Sequence, residues 1–325
     1  MEKPKVFVTR IIRDKGLTPI KESCQADIWP EELPPGREVL LERVRGVDGL
    51  LCLLTDRIDA EVMDAAGQGL KVISNHAVGF DNIDVQAATE RGIPVGNTPG
   101  ILTDATADMA FALLLGAARR VVEAEKFLRD GHWKTWAPSM LLGRDVAGAT
   151  LGIIGFGRIG QALARRATGF DMRLLFYDPQ ATSSSPGLEA EVTDLDTLLR
   201  ESDFVSLHVP LTPETQGMVD AGFLAKMKAE AVLVNTSRGG VVDQQALYQA
   251  LKARRIFAAA LDVTDPEPLP LDNPLLTLDN CIILPHIASA TYQSRDMMAY
   301  IAAQNLLLGL QGERLEHCVN PEVYA

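Results

Sequence analysis

Short apolar runs alternate with longer amphipathic stretches along most of this 325-residue chain. This alternation predicts strands followed by helices, which is typical of an α/β fold with parallel sheets. The strands predicted in the first hundred residues are Val6–Thr9, Gly49–Leu54, Leu70–Ser74 and Ile93–Val95. A second series begins near residue 150 and comprises Thr150–Ile154, Met172–Tyr177, Phe204–Val209, Ala231–Asn235, Phe257–Leu261 and Cys281–Leu284.

A glycine-rich turn opens the second series. Gly155, Gly157 and Gly160 form a GxGxxG pattern directly after the strand Leu151–Ile154 and directly before a helical pattern. In this strand–turn–helix setting, the first glycine permits a tight turn, the second lets the backbone approach a pyrophosphate, and the third allows close helix–sheet packing. The motif therefore predicts a dinucleotide-binding lobe, for which the six strands of the second series suffice.

An acidic residue, Asp178, stands at the end of the next predicted strand. A carboxylate there accepts hydrogen bonds from the adenosine ribose hydroxyls and repels a 2′-phosphate. No Arg or Lys follows it up to Thr182, so the sequence favours NAD(H) over NADP(H). The serines at 183–185 are possible donors to a phosphate, which leaves NADP(H) open.

The length of the chain exceeds what one hydrophobic core usually serves, so two domains are expected. Ile101–Arg129 predicts one long helix or two in succession, and a final helix is expected from Tyr292 to Gly309. Four strands are few for an independent first lobe, so we expect the C-terminal tail to pack back on it. The predicted architecture is two Rossmann-like or flavodoxin-like lobes with parallel sheets. A dinucleotide-binding domain of residues 100–286 is inserted into a discontinuous substrate domain of residues 1–99 plus 287–325.

Three polar residues follow strands of the second series, where open α/β sheets bind their ligands. Arg238, Glu267 and His286 each come after a different predicted strand. A guanidinium can hold a substrate carboxylate or keto oxygen by paired hydrogen bonds. A histidine can donate a proton to a carbonyl oxygen during hydride transfer, and a neighbouring carboxylate favours its charged form. His76, which ends a strand of the first lobe, is a weaker candidate.

Charge and composition exclude several classes of function. The formal net charge of −12 argues against nucleic acid as a partner. The four cysteines show no CxxC spacing, which indicates free thiols, and no His, Cys and carboxylate cluster has metal-ligand spacing. The start of the chain lacks the apolar region of a signal peptide, and the longest apolar run, Met109 to Ala118, is too short to span a bilayer. A cytoplasmic protein with no membrane partner and no metal is therefore expected.

Several segments resemble the D-isomer-specific 2-hydroxyacid dehydrogenase family over essentially the whole chain. They are Val78–Asp84, Gly155–Gly160, His208–Pro213, Asn235–Gly239, Leu261–Pro268 and Pro285–Thr291. Within that family the chain is most similar to glyoxylate/hydroxypyruvate reductases. Gly49–Asp56, Gly131–Trp136 and Pro268–Thr277 carry this closer likeness.

The resemblance implies roles for individual residues. His286 would be the acid/base with Glu267 as its partner, Arg238 would bind substrate, and the amides of Val78 and Gly79 would bind its carboxylate. Leu53, Trp136 and Ser289 would also contact substrate, Trp136 from the partner subunit of a homodimer. Beside the glycines of the loop, the residues that would line the cofactor are Thr106, Arg158, Ile159, Asp178, Val209, Pro210, Thr215, Thr236, Ser237, Asp262, His286 and Ser289.

The implied function is NAD(P)H-dependent reduction of small 2-oxo acids, glyoxylate to glycolate and hydroxypyruvate to D-glycerate. A D-lactate or D-3-phosphoglycerate type of dehydrogenase is the alternative enzyme, and a formate dehydrogenase fits less well because of Gly79 and the Glu267–His286 pair. A non-catalytic dinucleotide-sensing protein on the same scaffold is the alternative from another class. The sequence does not rank glyoxylate against hydroxypyruvate.

Overall fold

The computed structural model describes residues 2–181, 183 and 187–325. The chain divides into two compact units, which we call the terminal unit (Met1–Leu102 with Ala290–Ala325) and the central unit (Thr103–Ser289). The sequence predicted these boundaries after residues 99 and 286, and in the structure they fall after residues 102 and 289. The assignment of substrate and cofactor to the two units stays a prediction.

The described residues form strands and α-helices in the following chain order. The strands are β1 (Lys5–Val8), β2 (Gln25–Ile28), β3 (Gly49–Cys52), β4 (Val72–Asn75), β5 (Val95–Gly96), β6 (Thr150–Ile154), β7 (Arg173–Tyr177), β8 (Glu191–Val192), β9 (Phe204–Leu207), β10 (Val232–Asn235), β11 (Ala258–Leu261) and β12 (Cys281–Ile283). The helices are α1 (Asp14–Ser23), α2 (Arg37–Arg43), α3 (Ala60–Ala66), α4 (Val85–Glu90), α5 (Thr103–Ala118), α6 (Val121–Arg129), α7 (Arg158–Ala167), α8 (Leu195–Glu201), α9 (Ala221–Lys226), α10 (Gln244–Lys252) and α11 (Tyr292–Leu310).

The terminal unit contains a parallel sheet with the order β2-β1-β3-β4-β5 in its described part. Its central strands are buried, as expected for a parallel sheet covered on both faces. The sequence predicted four strands here and missed β2. This edge strand, Gln25–Ile28, alternates polar and apolar residues and is mostly half-buried, so it presents no apolar run.

The C-terminal helix α11 packs against the sheet and against α1 in the terminal unit. A Cβ atom on Gly16 of α1 would lie 2.2 Å from the carbonyl oxygen of Ala299. A Cβ atom on Gly309 would lie 2.5 Å from the side chain of Val72 in β4. The hydroxyl of Ser74 donates to the carbonyl of Ala302 at 2.7 Å. Small residues therefore let α11 approach both elements closely.

The central unit contains a parallel sheet with the order β12-β11-β10-β9-β6-β7-β8 in the part of the chain that the structure describes. Its strand order reverses direction between β6 and β9, and dinucleotides bind at such switch points. The sequence predicted six of these strands and missed β8, because Glu191 and Val192 are both exposed at the edge. The two parallel α/β sheets confirm the predicted fold class.

The segment predicted as one or two helices forms two, α5 and α6. Arg120, between them, has a φ of 54° in the left-handed region, which ends the first helix. Helix α5 is buried along most of its length, whereas α6 buries none of its residues.

All four cysteines are free thiols in this structure. Among the described residues no helix is both long and apolar enough to cross a membrane.

We predict that Gly16→Ala lowers the stability of the chain. Alanine normally stabilises a helix relative to glycine by about 0.5–1 kcal/mol, but here its Cβ would meet the backbone of Ala299. Overpacking of this kind costs about 1–3 kcal/mol. Thermal unfolding measures the change. Gly36→Ala is the matched control, because a Cβ there meets nothing within 4 Å. Equal stability of Gly16→Ala and wild type would contradict the close contact of α1 and α11.

Candidate active site

The glycine loop after β6 has the geometry of a dinucleotide-binding turn. Gly155 has a φ of 89°, and a Cβ on it would lie 2.7 Å from the carbonyl carbon of His208. A Cβ on Gly160 would lie 2.2 Å from the carbonyl oxygen of Gly155. A Cβ on Gly157, the N-cap of α7, would meet nothing within 4 Å. Gly155 and Gly160 thus allow close packing. Gly157 leaves open space at the N-terminus of α7, which fits a pyrophosphate.

Asp178 follows β7 and is hydrogen-bonded to the glycine loop. Its carboxylate accepts from the amide of Phe156 at 2.7 Å and from that of Gln180 at 2.8 Å. The amide of Gly155 also donates to the carbonyl of Tyr177 at 2.9 Å. The carboxylate is therefore fixed beside the loop, where a ribose of a bound dinucleotide is expected. Of the possible phosphate donors at 183–185, Ser184 and Ser185 lie outside the described residues.

Thr236 and Val209 stand at the carboxyl ends of β10 and β9, which are neighbours in the sheet. The Oγ1 atom of Thr236 is buried and has no hydrogen-bond partner within the described ranges. The side chain of Val209 lies 3.0 Å from the position of a Cβ on Gly155. A buried hydroxyl without a partner costs free energy, so the Thr236 hydroxyl, at the carboxyl edge of the sheet that bears the glycine loop, fits a polar ligand group. The residues around the loop therefore fit a dinucleotide.

Arg238 is positioned by a short network that starts from Asn235, the last residue of β10. The Asn235 side chain donates to the Arg238 carbonyl at 2.9 Å and accepts from the Ser237 amide at 3.0 Å and hydroxyl at 2.7 Å. A Cβ on Gly239 would lie 1.9 Å from the carbonyl oxygen of Thr264. Because position 239 is glycine, the loop of Arg238 can pack directly against the loop that carries Glu267.

His286 and Glu267 form a close pair in the central unit. Nδ1 of His286 lies 2.8 Å from Oε2 of Glu267, and the other oxygen of Glu267 accepts from the Thr264 amide at 3.0 Å. Burial acts to raise the pKa of Glu267, but the hydrogen bond and charge of His286, helped by the charge of Arg238, hold it below its ordinary value. A charged Glu267 stabilises the imidazolium and leaves Nε2 as the ring nitrogen turned away from it.

Asp262 fixes the backbone around His286. Both of its carboxylate oxygens accept backbone amides at 2.8 Å, one from Ile287 and one from Ala288, and its carbonyl accepts from His286 at 2.8 Å. His286 has a φ of 54°, an unfavourable conformation that these bonds hold. Burial raises the pKa of Asp262, although the two amides and the charge of His286 oppose the shift. The sequence predicted Asp262 as a cofactor residue, and the structure gives it this positioning role.

In the terminal unit, the loop after β4 presents two adjacent backbone amides. The carbonyls of Val78 and Gly79 accept from the side chains of Asn97 at 2.7 Å and Asn75 at 2.9 Å. In the described part of the chain, neither amide of Val78 and Gly79 donates a hydrogen bond. Because the two asparagine side chains bind the carbonyls and leave both amide donors unused, the loop can bind a small anion.

The remaining predicted site residues have more varied surroundings. Leu53 lies at the end of β3, where its amide donates to Asp56 at 2.8 Å. Thr215 donates to the carbonyl of Pro210 at 2.6 Å and so closes the loop after β9. Thr106 is buried in α5, Arg158 and Ile159 begin α7, and Ser289 ends the central unit. Trp136 is 75% exposed.

The positioning residues were missed from the sequence. Asn75, Asn97, Asn235 and Thr264 bind the loops that carry the predicted site residues. Asn75 and Asn235 each end a buried strand, and a polar residue at such a place is the signal that could have identified them.

His208 is a structural imidazole. It lies after β9 and its Nε2 is 2.9 Å from the hydroxyl of Ser206. Burial lowers its pKa to about 4, so the ring is neutral at physiological pH. No group of three His, Cys, Asp or Glu within residues 2–181, 183 and 187–325 could hold a metal ion.

The chain is similar to proteins of known family over its whole length. Residues 111–288 match the family described as D-isomer specific 2-hydroxyacid dehydrogenase, NAD binding domain. A glyoxylate reductase of Korarchaeum cryptofilum is 54% identical, over 99% of this chain and 97% of that protein.

Solved structures show the same likeness. A protein of Thermus thermophilus is 48% identical and superposes with a TM-score of 0.91 over 97% of this chain and 99% of that one. An NADPH-dependent glyoxylate/hydroxypyruvate reductase of Sinorhizobium meliloti, in complex with NADP and malonate, is 30% identical with a TM-score of 0.85 over 98% of each chain.

The matched regions extend over both units and span the positions of the glycine loop, Glu267 and His286. The protein is an oxidoreductase that binds a nicotinamide dinucleotide and acts on small 2-hydroxy or 2-oxo acids. The chain belongs to the D-isomer specific 2-hydroxyacid dehydrogenase family.

Proposed function

We propose that this protein reduces glyoxylate to glycolate and hydroxypyruvate to D-glycerate, with NADH as the preferred reductant. The observation that carries the proposal is the pair of His286 and Glu267, 2.8 Å apart after strands of the sheet that also bears the glycine loop. The relatives named glyoxylate reductase, which match along nearly the full chain, support the choice of substrate.

His286 is the proton donor in this proposal. A reduced nicotinamide dinucleotide, held by the residues around the glycine loop, would supply the hydride that the carbonyl carbon accepts. Nε2 of His286 gives its proton to the carbonyl oxygen, so that the product is an alcohol. Glu267 orients the imidazole through its contact with Nδ1, which leaves Nε2 to face the carbonyl oxygen. In the reverse direction, the neutral ring takes the proton back.

Arg238 and the loop amides bind the substrate. The Arg238 guanidinium offers paired donors for a carboxylate or a keto oxygen. The amides of Val78 and Gly79 take a carboxylate oxygen, since their carbonyls are held by Asn97 and Asn75. Leu53 and Ser289 contact the remainder of the substrate.

The residues that hold the dinucleotide surround the glycine loop. We assign to it Gly155, Gly157, Gly160, Thr106, Arg158, Ile159, Asp178, Val209, Pro210, Thr215, Thr236, Ser237, Asp262 and Ser289. Asp178 sets the preference for NADH, because its fixed carboxylate accepts ribose hydroxyls and repels a 2′-phosphate.

A homodimer is the proposed assembly. The segment from 121 to 142 exposes a row of large apolar side chains: Val121, Val122, Leu128, Trp133, Trp136 and Leu142. An apolar surface of this kind is typical of a protein–protein interface. We propose that it pairs with a second copy of the chain and that the partner subunit's Trp136 contacts the substrate.

We expect His286→Ala to lower kcat for glyoxylate by about 10²–10⁴-fold, because the proton donor is lost. The dissociation constant for NADH, measured by fluorescence titration, should change little. His317→Ala is the control histidine, from the terminal unit. A loss of NADH binding as large as the loss of rate would contradict the proposed role.

Glu267→Gln removes the charge beside His286 but keeps a hydrogen-bonding group. The charged imidazole is then less favoured, so the alkaline limb of the kcat/KM profile for reduction should move to lower pH. Steady-state rates from pH 5 to 10 measure the limb. A profile of unchanged shape would remove Glu267 from the proton-donor pair.

Asp178→Asn tests the cofactor preference. The amide oxygen can still accept from Phe156, so the glycine loop should stay in place while the charge is lost. We expect the ratio of kcat/KM for NADPH to that for NADH to rise about tenfold or more, since a like charge near the 2′-phosphate is removed. An unchanged ratio would show that Asp178 does not set the preference.

Val122→Asp should convert the homodimer to monomers, because it places a charge in the proposed apolar interface. Light scattering after size-exclusion chromatography measures the mass. Leu33→Asp is the control, since Leu33 is also an exposed apolar residue but lies in the terminal unit. A dimer that survives Val122→Asp and dissociates with the control would place the interface elsewhere.

A further inference from the structure

Two loops of the terminal unit carry residues that are proposed to bind substrate. The β4 loop (residues 76–84) contains Val78 and Gly79, and the β3 loop (residues 53–59) contains Leu53. Strands β3 and β4 pair in parallel, so both loops begin at the same edge of the sheet. A substrate that contacts both loops depends on what fixes the distance between them.

The side chain of Asn82, in the β4 loop, bridges the two loops. Its Nδ2 atom donates to the carbonyls of Leu53 and Asp56 in the β3 loop, both at 3.0 Å. Its Oδ1 atom accepts from the Asn75 side chain at 3.0 Å. Nδ2 of Asn75 also donates to the carbonyl of Gly79 at 2.9 Å. Asn82 thus binds the β3 loop directly and the Gly79 part of its own loop through Asn75.

The three groups that meet Asn82 require a side-chain amide. Its nitrogen has two hydrogens, one for each carbonyl of the β3 loop, and its oxygen accepts the third bond. A carboxylate in this place would turn an oxygen toward two carbonyl oxygens. An apolar side chain would leave both carbonyls and the Asn75 amide without this partner. The bridge therefore depends on the amide of Asn82.

The β3 loop is itself anchored to the sheet, through Asp56. The buried carboxylate of Asp56 accepts from the Leu53 amide at 2.8 Å and from the hydroxyl of Thr9. Thr9 is also buried and directly follows β1, the neighbour of β3. The Leu53 end of the bridge is therefore fixed, and Asn82 ties the β4 loop to a rigid support.

Backbone hydrogen bonds join the same loops at their far ends. The Ile58 amide donates to the Asn82 carbonyl at 2.9 Å, and the Asp84 amide donates to the Ile58 carbonyl at 2.8 Å. These bonds do not involve the Asn82 side chain, so the loops should stay joined when it is removed. What changes is the support of the parts that carry Leu53 and Gly79.

We propose that Asn82 is a positioning residue for the substrate. It holds the Val78 and Gly79 part of the β4 loop against the anchored β3 loop, so that both loops bind one 2-oxo acid. The inference rests on the proposed function, because it requires the two amides to bind the substrate carboxylate. Asn82 contacts neither substrate nor cofactor in this role, so it acts on substrate binding and not on proton transfer.

Asn82→Ala is compared with Asn320→Ala, the matched control. Asn320 is a buried asparagine of the terminal unit that also joins separate segments by its side-chain amide. It accepts from the Val95 amide at 2.8 Å and donates to the Ile93 carbonyl at 3.0 Å and the Thr89 hydroxyl at 2.9 Å. These partners lie before or at the start of β5 and outside both loops.

We expect Asn82→Ala to raise KM for glyoxylate about tenfold with a smaller change in kcat, because displaced amides bind the carboxylate less tightly. The inhibition constant of oxamate, an unreactive carboxylate of similar shape, should rise by a similar factor. The dissociation constant for NADH should change little, since the residues proposed to hold it lie in the central unit. Asn320→Ala should lower the Tm but leave KM and the oxamate constant unchanged.

Wild-type turnover separates this inference from the proposed function. If the wild type reduces glyoxylate, an unchanged KM and oxamate constant in Asn82→Ala would overturn the inference alone. Equal increases in Asn82→Ala and Asn320→Ala would also overturn it, because they would reflect a general loss of stability. If Asn82→Ala does not fold, Asn82→Ser, which keeps a hydroxyl at the bridge, gives the same comparison. Absence of turnover with every 2-oxo acid would overturn the proposed function and this inference with it.

Discussion

The hydrogen bonds of the buried Asp262 carboxylate are the interaction on which the catalytic geometry depends. They tie the end of β11 to the backbone that follows β12, and they hold His286 in a left-handed conformation. An isolated His286 would not keep this backbone, because the left-handed region is unfavourable for a residue with a Cβ. Asp262 thus transfers the rigidity of a parallel sheet to the ring of His286, the proposed proton donor.

Close backbone approaches determine the rest of the site. Gly239 lets the Arg238 loop pack against the carbonyl of Thr264, whose amide in turn binds Glu267. Gly160 likewise lets the start of helix α7 pack directly against the carbonyl of Gly155 in the preceding turn. In each case one glycine allows two loops at the carboxyl edge of the sheet to approach closely enough for their polar groups to act on one ligand.

Much of the fold could be predicted from the sequence, because strong local signals mark it. Of the candidate site, the structure brings the predicted pair His286 and Glu267 to 2.8 Å, while the roles of the site residues stay predictions. The apolar runs and the glycine motif predicted the sheets, and β6 was predicted with its observed bounds. The edge strands β2 and β8 were missed because they are short and polar and depend on a neighbouring strand for their pairing. The positioning roles of Asn75 and Asn235 could not be predicted, since they depend on which loop carbonyls the fold brings near them. The net charge of −12 argues against nucleic acid as a partner. It also opposes a small anion, so the binding of one must rest on local donors such as Arg238.

The decisive measurement is the turnover of a panel of 2-oxo acids with NADH and with NADPH. We expect saturable oxidation of NADH by glyoxylate and hydroxypyruvate, faster than with NADPH, and D-glycerate as the product from hydroxypyruvate. Turnover confined to pyruvate or to a phosphorylated 2-oxo acid would instead indicate a D-lactate or D-3-phosphoglycerate type of dehydrogenase. Dinucleotide binding without oxidation by any 2-oxo acid would contradict the proposed reductase activity and indicate a dinucleotide-sensing protein.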